Sequence, residues 1–306
     1  EKEGIKITNG NTRIELLAGN YIGTNKDFEN LGNGLDGLYL GGGTVTFPST
    51  LDSANYIGFN GKNGIYTNGR ASLNISCNYI GITASGNLMP NEEYGVYFYS
   101  NATSNTFKNV FGYNKQGALF FTNFGTSPQF ISENLFFGTE GNAIDLGGYM
   151  RNIFTPRISK IERVLDSIYI DGTTDTTFVS DIELFYTNGE SQTAHKFLSR
   201  KSTTKQGEFS FVIPVETLPK NGNVCFSATA TYNGQMGELT DPFCCDSCLC
   251  LTYTTLATDT IVVGEKFLDE LYAIGRHDSI FETIALPDGC DSVVMHTLVV
   301  KPNPEV

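Results

Sequence analysis

Tyrosines recur at equivalent places in the first half of the chain, and they are the residues best suited to contact a ligand. A phrase of the form Gly-apolar-x-apolar returns several times, and its third residue is tyrosine at Tyr39, Tyr66 and Tyr97. Because side chains alternate along a β-strand, this residue is predicted to point outward. A row of exposed rings can stack on the apolar faces of sugars. In a second interpretation, the rings only stabilise the sheet through cross-strand contacts.

The alternation also predicts which residues accompany these tyrosines. The outward row of this strand column is predicted to run Lys6, Tyr39, Tyr66, Tyr97, Leu119 and Asp145. We call its three tyrosines the first tyrosine column. A second tyrosine column is predicted at Tyr21, Tyr56 and Tyr79. Rings in register on successive strands are expected about 5 Å apart, which is close to the length of one sugar residue.

Two long connections are predicted to lie beside the first tyrosine column. Residues 24–36 and 82–94 have equal lengths and share an internal pattern, with Leu31 matching Met89. Insertions within repeats usually mark the functional side of a repeat protein. The loops are expected to place four polar side chains next to the rings: Asn33, Asp36, Asn91 and Glu92. With the three tyrosines they form the predicted ligand-binding surface, and carbohydrate is the expected ligand.

Catalytic groups are sparse in the same region. Residues 1–150 contain no histidine, and their four aspartates are not paired along the sequence. The acidic residues that come closest to a catalytic constellation lie near the last repeats: Glu133, Glu140 and Asp145. Glycoside hydrolysis needs paired carboxylates at a defined separation. We therefore predict no catalytic residue.

Metal-binding patterns are also missing from the sequence. His195, His277 and His296 are dispersed over the later part of the chain, and no Asp-x-Asp-x-Asp-Gly loop is present. A histidine metal site, a calcium loop and a Ser-His-Asp triad are therefore not expected. The sequence predicts neither a metal nor a cofactor.

A short repeated phrase organises the first 150 residues. Asn-Tyr-Ile-Gly stands at residues 20–23, 55–58 and 78–81, and looser copies follow at 109–112 and 134–138. A period of this length indicates a repeat protein whose units stack to bury their apolar faces. Short strands separated by Gly and Asn, without a helical pattern between them, predict a parallel β-solenoid.

Two stacked rows follow from this phrase. Its opening asparagines are expected to form a ladder of amide hydrogen bonds from coil to coil: Asn20, Asn55, Asn78, Asn109 and Asn134. The residues two places later are expected to fill one interior row: Ile22, Ile57, Ile80, Phe111 and Phe136. Each buried side chain of that row is worth roughly 1.5–3 kcal/mol.

These phrases, with Gly at the corners, resemble the repeats of right-handed parallel β-helix proteins over roughly residues 4–150. The resemblance implies a right-handed winding, which is also the expected hand for parallel strands. The family includes pectin lyases, polygalacturonases and other polysaccharide-cleaving enzymes. It therefore also implies an alternative function as a polysaccharide-degrading enzyme.

The pattern changes after the repeats. Seven alternating segments are separated by turn signals such as Asn188-Gly189, and they span residues 157–161, 167–171, 181–186, 196–199, 208–213, 224–230 and 237–240. Short antiparallel strands at this spacing are typical of an immunoglobulin-like β-sandwich. The last segment contains Gly-Cys-Asp-Ser-Val-Val at residues 289–294, which resembles small β modules of bacterial cell-surface proteins. Those modules carry a partner cysteine where this chain has Val263, so the resemblance leaves Cys290 to pair upstream or to remain free.

Cysteine usage points to disulfides. The cluster near residue 245 lacks the two separated ligand pairs of a structural zinc site. We expect at least two disulfides among six cysteines: Cys225, Cys244, Cys245, Cys248, Cys250 and Cys290. Disulfides persist in exported proteins. The seventh cysteine, Cys77, is expected to fill space inside the solenoid.

The net charge and the lack of long apolar runs argue against some partners and locations. The formal net charge is −13, which argues against nucleic acid as a partner. No apolar run of about 18 residues is present, so no transmembrane segment is expected in these residues. The chain begins with Glu1 rather than Met, and we expect any signal peptide to have been removed or left out.

We therefore expect an all-β chain of three domains: a short right-handed parallel β-helix of about five to six coils at residues 1–150, an immunoglobulin-like β-sandwich at 151–243 and a small cysteine-containing β module at 244–306. The expected function is non-catalytic binding or adhesion by a monomer that is secreted or held on a bacterial cell surface. The expected partner is a glycan or another host or cell-surface polymer. Two alternatives stay open, a polysaccharide-degrading enzyme of the β-helix type and a purely structural stalk.

Overall fold

The structure is a computed structural model in which β-strands and connecting loops predominate. It describes residues 2–15, 17–48, 50–69, 71–99, 102–122, 129–147, 155–175, 178–219, 224–232, 235–245, 248, 254–262, 265–273, 275–285 and 291–302. The chain divides into two compact units, Glu1–Asp246 and Ser247–Val306.

The first part of unit 1 consists of short strands that follow one another in threes. They are β1 (Ile5–Ile7), β2 (Arg13–Ile14), β3 (Tyr21–Ile22), β4 (Leu38–Leu40), β5 (Thr44–Thr46), β6 (Tyr56–Ile57), β7 (Ile65–Thr67), β8 (Ser72–Ser76), β9 (Tyr79–Ile80), β10 (Tyr94–Phe98), β11 (Thr103–Phe107), β12 (Val110–Gly112), β13 (Gly117–Phe121), β14 (Gln129–Ser132), β15 (Leu135–Phe137) and β16 (Ile144–Asp145). One turn of 3-10 helix, Leu51–Ser53, precedes β6.

These strands form three parallel sheets that all run through the same coils. The sheets have the orders β1-β4-β7-β10-β13-β16, β2-β5-β8-β11-β14 and β3-β6-β9-β12-β15. Each strand therefore pairs with the strand three places away in the sequence, because every coil contributes one strand to each sheet. The predicted parallel solenoid is confirmed, and the arrangement is compatible with a parallel β-helix.

The predicted interior row has the predicted register. Parallel pairing aligns Ile22 with Ile57, Ile57 with Ile80, Ile80 with Phe111, and Phe111 with Phe136. All five side chains are buried. The third residue of each Asn-x-apolar phrase is thus a core position in every coil, as the alternation of side chains along a strand requires.

The predicted asparagine ladder is present, two residues before each position of this row. At each step, from Asn20 to Asn55, Asn78, Asn109 and Asn134, the backbone N–H and the side-chain amide of one Asn both donate to Oδ1 of the next Asn. The donor–acceptor distances at the step from Asn55 to Asn78 are 3.1 and 2.7 Å. The buried amides are therefore satisfied by their own repeats.

One predicted outward position is wrong by one residue. Leu119 pairs with Val96 and is fully buried, whereas Phe120 pairs with Tyr97 and takes the outward place. The stretch Ala118–Phe121 contains no polar residue, so alternation of polarity does not define its register. A one-residue shift exchanges the two faces of a strand.

The rest of unit 1 is antiparallel. Its strands are β17 (Arg157–Val164), β18 (Ser167–Thr173), β19 (Asp181–Thr187), β20 (Lys196–Ser202), β21 (Glu208–Pro214), β22 (Val224–Tyr232), β23 (Gln235–Met236) and β24 (Phe243–Cys245). A turn of 3-10 helix, Val215–Thr217, follows β21. One sheet has the order β17-β18-β21, and the other has the order β20-β19-β22-β23, with β24 also paired to β22.

The strand predicted at residues 237–240 does not form. Thr240 lies against β22, where its backbone N–H donates to the carbonyl oxygen of Ala228. The Ala228 N–H, however, donates to the side-chain oxygen of Thr240 and not to its carbonyl oxygen. A side-chain acceptor in place of a carbonyl interrupts the regular ladder. The other six predicted segments are all strands, several of them longer than predicted.

The antiparallel part covers the last coils of the solenoid. Phe136 and Ala194 exchange two backbone hydrogen bonds of 2.9 Å, so Ala194 takes the place of a further coil. Glu183 accepts hydrogen bonds from the Ser132 hydroxyl and from the Glu133 N–H. Its burial raises its pKa, and Arg200 lies 3.0 Å away as a counterion. The Glu183 carboxylate thus accepts hydrogen bonds from the Ser132 hydroxyl and the Glu133 N–H, which have no further coil to bond to.

The described residues of unit 2 form one mixed sheet and one small hairpin. Its strands are β25 (Thr254–Val262), β26 (Lys266–Phe267), β27 (Glu270–Leu271), β28 (Gly275–Ala285) and β29 (Asp291–Lys301). In the sheet, β29 pairs in parallel with β25 and antiparallel with β28. β26 and β27 form the hairpin.

Disulfides are present as expected from the cysteine cluster. Cys225 is bonded to Cys244, and this pairing joins β22 to β24. Cys245 and Cys248 each take part in a disulfide as well, whereas Cys77 is a buried free thiol. The candidates Cys250 and Cys290 lie outside the described residues. Within the described part of the chain, no helix has the length and apolar character needed to cross a membrane.

Candidate functional site

A groove of about 370 Å³ runs along the first strand column of the solenoid, and we call it the tyrosine groove. It is lined by Glu3, Leu35, Asp36, Tyr39, Lys62, Asn63, Tyr66, Glu93 and Tyr97. The three tyrosines lie on β4, β7 and β10, which are neighbours in one parallel sheet. The groove therefore follows the axis along which the coils stack.

The first tyrosine column is a continuous ring stack. The ring centroids of Tyr39 and Tyr66 are 5.4 Å apart with 12° between the planes. Those of Tyr66 and Tyr97 are 5.2 Å apart with 22° between the planes. This spacing agrees with the predicted value of about 5 Å, because successive strands of a sheet set it.

The faces of these rings are occupied. Lys6 Nζ lies 4.9 Å from the centroid of the Tyr39 ring, and the Phe120 ring lies 4.8 Å from that of Tyr97. Tyr66 has a tyrosine on each side. A sugar therefore has no free ring face to stack on, contrary to the sequence-based expectation. The half-buried rings offer their edges and hydroxyl groups instead.

Two of the three tyrosines in the column, Tyr66 and Tyr97, have a raised pKa. Burial raises the pKa of Tyr66 to about 12, and the neighbouring Tyr97, Tyr39, Tyr99 and Asp36 contribute to the increase. Burial also raises the pKa of Tyr97. A neutral phenol both donates and accepts hydrogen bonds. The column can therefore present a row of hydrogen-bonding groups at the repeat distance of the coils.

Asn33 and Asn91, which were predicted to contact the ligand, belong to a second amide ladder. Nδ2 of Asn33 donates to Oδ1 of Asn60 at 2.8 Å, Asn60 donates to Asn91 at 2.8 Å, and Asn91 donates to Asn114 at 2.7 Å. Asn91 is fully buried, so it does not reach the groove. The side-chain amide of Asn33 is likewise used inside the ladder.

The two long loops leave the solenoid at glycines and return at this second ladder. Gly23 and Gly81 have φ angles of 79° and 82°. A Cβ on either would lie 2.0 Å from a carbonyl oxygen of the next coil. Only glycine fits such a position. The loops rejoin the solenoid at Asn33 and Asn91, and this return brings the following residues alongside the tyrosines.

Asp36 and Glu92 take different positions. Asp36 lines the groove but is buried, and its Oδ1 accepts hydrogen bonds of 3.1 and 2.9 Å from the backbone and side chain of Asn63. Burial raises the pKa of Asp36, although these hydrogen bonds oppose the shift. Glu92 is exposed and forms an ion pair with Lys115 at 2.5 Å. Its neighbour Glu93, rather than Glu92, lines the groove.

The second tyrosine column has the same stacking but a different cover. The Tyr21–Tyr56 and Tyr56–Tyr79 centroid distances are 5.4 and 5.1 Å. Phe28, from the first long loop, packs edge-on against Tyr56 at 4.9 Å and also contacts Tyr21. Both columns therefore have a phenylalanine neighbour, Phe28 here and Phe120 in the first column, but the first column also lies beside carboxylates and a lysine.

Two of the acidic residues considered from the sequence, Glu133 and Asp145, are bound to other groups of the chain. Glu133 lies 3.6 Å from Lys108 in an ion pair, and Oδ1 of Asp145 accepts a hydrogen bond from the Gly147 N–H. Among the described residues, no hydrogen bond or ion pair connects either of them to Glu140.

Unit 2 contains a histidine between two carboxylates, an arrangement that was not predicted from the sequence. Nδ1 of His296 lies 2.6 Å from Asp259, and Nε2 lies 3.0 Å from Glu282. The hydrogen bond to Asp259 is the main cause that raises the pKa of His296. These residues come from three strands and follow no repeat, so no spacing pattern could have indicated them. Across the described residues, no group of three or more His, Cys, Asp or Glu side chains could hold a metal ion.

No protein-family model matches this chain, and no curated protein matches it.

Proposed function

We propose that this chain is a non-catalytic carbohydrate-binding protein that is secreted by a bacterium or held on its surface. Its tyrosine groove binds an extended glycan or a related host or cell-surface polymer, and the protein acts as a monomer. The proposed fold is a short right-handed parallel β-helix, an immunoglobulin-like β-sandwich and a small β module of the bacterial cell-surface type.

The regular repeat of the tyrosine rings is the observation that carries this proposal. Tyr39, Tyr66 and Tyr97 lie at intervals of 5.4 and 5.2 Å, close to the length of one sugar residue in an extended polymer. Because their faces are closed, the hydroxyls and ring edges bind sugar hydroxyl groups by hydrogen bonds rather than by stacking. Asp36, Asn63 and Glu93 add polar groups along the same groove.

Export and adhesion are supported by the chemistry of the chain. The bond between Cys225 and Cys244 suits an oxidising compartment. A net charge of −13 suits an exposed protein that stays in solution and repels other acidic surfaces. A long polymer engages several coils at once, so weak contacts at each coil add up.

A glycan array tests the proposal. We expect the unmodified chain to bind one class of extended glycan, and we expect the combined change Tyr39→Ala, Tyr66→Ala and Tyr97→Ala to eliminate that binding. A melting curve with one cooperative transition checks that this variant still folds. An array without bound glycans, or a folded triple variant that binds equally well, would favour the structural stalk.

A polysaccharide-degrading enzyme is the second candidate, and one observation favours it. Asp36 has a raised pKa and shares the groove with the carboxylates of Glu3 and Glu93, a combination that recurs in general acids. Incubation with pectin-type and mucin-type polymers, followed by assays for reducing ends and for unsaturated products, separates the candidates. Product formation that disappears in Asp36→Asn would replace the binding proposal by the enzyme.

A further inference from the structure

The tyrosine groove is lined by more acidic than basic side chains, and only some of the acidic ones form salt bridges. Three carboxylates and one ammonium group line it: Glu3, Asp36, Glu93 and Lys62. Glu3 is already paired with Lys6 at 2.8 Å. Within the described part of the chain, Asp36 and Glu93 form no salt bridge. Each accepts a hydrogen bond from the Asn63 amide, at 2.9 and 3.2 Å respectively.

One end of the groove shows how the tyrosine column holds an ammonium group. Lys6 Nζ lies 2.8 Å from the Glu3 carboxylate and 4.9 Å from the centroid of the Tyr39 ring. The ammonium group is therefore held by an anion and by the electron-rich face of a tyrosine. Glu93 offers a second carboxylate beside Tyr66 and Tyr97, and among the described residues no salt bridge joins it to an ammonium group.

We infer that the tyrosine groove is selective for amino sugars with free amines, such as an oligomer of glucosamine, whose ammonium groups pair with Glu93 and Asp36. This inference rests on the proposed carbohydrate-binding function and names the class of sugar. The sugar hydroxyls bond to the tyrosine hydroxyls, while the ammonium groups take the position relative to Glu93 that Lys6 takes relative to Glu3. Ammonium–carboxylate hydrogen bonds are stronger than neutral ones.

Neighbouring classes of sugar fit this set of charges less well. A uronic acid polymer would bring carboxylates next to Asp36 and Glu93, and Lys62 is the lining residue that could attract them. An N-acetylated polymer carries no charge, so it would leave both carboxylates without a cation. Exposed Lys62 sits on a flexible side chain and can turn away from a bound ammonium group.

Calorimetric titration of the full chain tests the selectivity. The probes are the tetrasaccharides of glucosamine, of N-acetylglucosamine and of galacturonic acid, at low ionic strength and at a pH where the amines are protonated. We expect the glucosamine tetramer to bind about tenfold more tightly than the N-acetylated one, because one charge-assisted hydrogen bond contributes that much. Glu93→Gln should remove this preference.

Glu92, the neighbour of Glu93 in the sequence, provides a matched control. Glu92 is exposed, pairs with Lys115 and does not line the groove, so Glu92→Gln should keep the preference. Asp36→Asn serves as a second variant and should weaken glucosamine binding while the neutral tetramer is unaffected.

The outcomes separate this inference from the proposed function. Equal or tighter binding of the neutral or the uronic acid tetramer overturns the selectivity and leaves carbohydrate binding in place. Retention of the preference in Glu93→Gln, or its loss in Glu92→Gln, also overturns the assignment of the ammonium site. If none of the three tetramers binds and the array shows no other glycan, the proposed function fails together with the inference.

Discussion

The two tyrosine columns of the solenoid have nearly the same internal geometry but different surroundings. Ring centroids are 5.4 and 5.2 Å apart in the first column and 5.4 and 5.1 Å apart in the second. Beside the first lie Asp36, Lys62 and Glu93. Against the second packs Phe28. Stacked tyrosines by themselves are thus a structural feature of the coils, and we propose that binding also requires the polar residues that follow the long loops.

This comparison also explains why we propose that a glycan approaches the rings edge-on. In both columns the strand spacing places rings face to face, so stacking within the sheet already uses the ring faces. The accessible chemistry is the row of hydroxyl groups. Burial raises the pKa of Tyr56 and Tyr79 in the second column, and the electrostatic neighbours that add to the shift are other tyrosines and Cys77, which makes this column the natural control for every test of the first.

The largest expected effect comes from removing the core that supports both columns. Ile57 is fully buried in the interior row between Ile22 and Ile80. Ile57→Asp buries a carboxylate without a partner, and we expect a cost above about 4 kcal/mol and loss of the cooperative unfolding of the solenoid. Chemical denaturation followed by circular dichroism measures it. Thr8→Asp, at an exposed position, is the control, and equal curves for the two variants would show that the register is wrong.

A smaller effect should distinguish the two columns. Asn78 and Asn91 are both fully buried ladder residues, but Asn91 precedes the groove residue Glu93, whereas Asn78 precedes Tyr79 of the second column. Each change to Ala leaves buried amide partners unsatisfied and should cost about 1–3 kcal/mol. Thermal melts should show similar losses of stability for both variants. Glycan affinity should fall only for Asn91→Ala, and an equal fall in both would remove the distinction between the columns.

The smallest effect concerns alkaline pH. Folding raises the pKa of Tyr66 from 10.0 to about 12, so the folded chain holds this proton more tightly than the unfolded chain does. The resulting stability is complete below about pH 10 and is lost as the pH rises toward about 12. Absorbance titration of the phenolate should show a late step that disappears in Tyr66→Phe. Persistence of the whole late step in that variant would assign it to another tyrosine.

Features set by repetition could be predicted from the sequence. The interior row, the first asparagine ladder and the spacing of the tyrosines all follow from phrases that recur with the same internal order, because parallel coils place equivalent residues on top of one another. The register of Leu119 could not be predicted, since Ala118–Phe121 has no polar residue to mark a face.

Features that depend on loops or on several unrelated strands could not be predicted. Asn91 joins the second ladder only because its loop returns to the solenoid there, and the length of a loop does not reveal where its ends lie. Periodicity shows the direction of the Tyr66 ring but not that both faces are covered. The contact of His296 with Asp259 and Glu282 joins residues 37 and 14 positions away, without any repeated spacing.

The most direct test of the tyrosine groove removes hydroxyl groups from one column at a time and keeps the rings. One variant carries Tyr39→Phe, Tyr66→Phe and Tyr97→Phe, and its matched control carries Tyr21→Phe, Tyr56→Phe and Tyr79→Phe. The affinity of each is measured for a glycan that the unmodified chain binds on the array. Because hydrogen bonds lost at successive sugars add up, we expect the first variant to bind at least about tenfold more weakly, while the control binds normally and both unfold cooperatively. Equal affinities for the two variants would contradict the account.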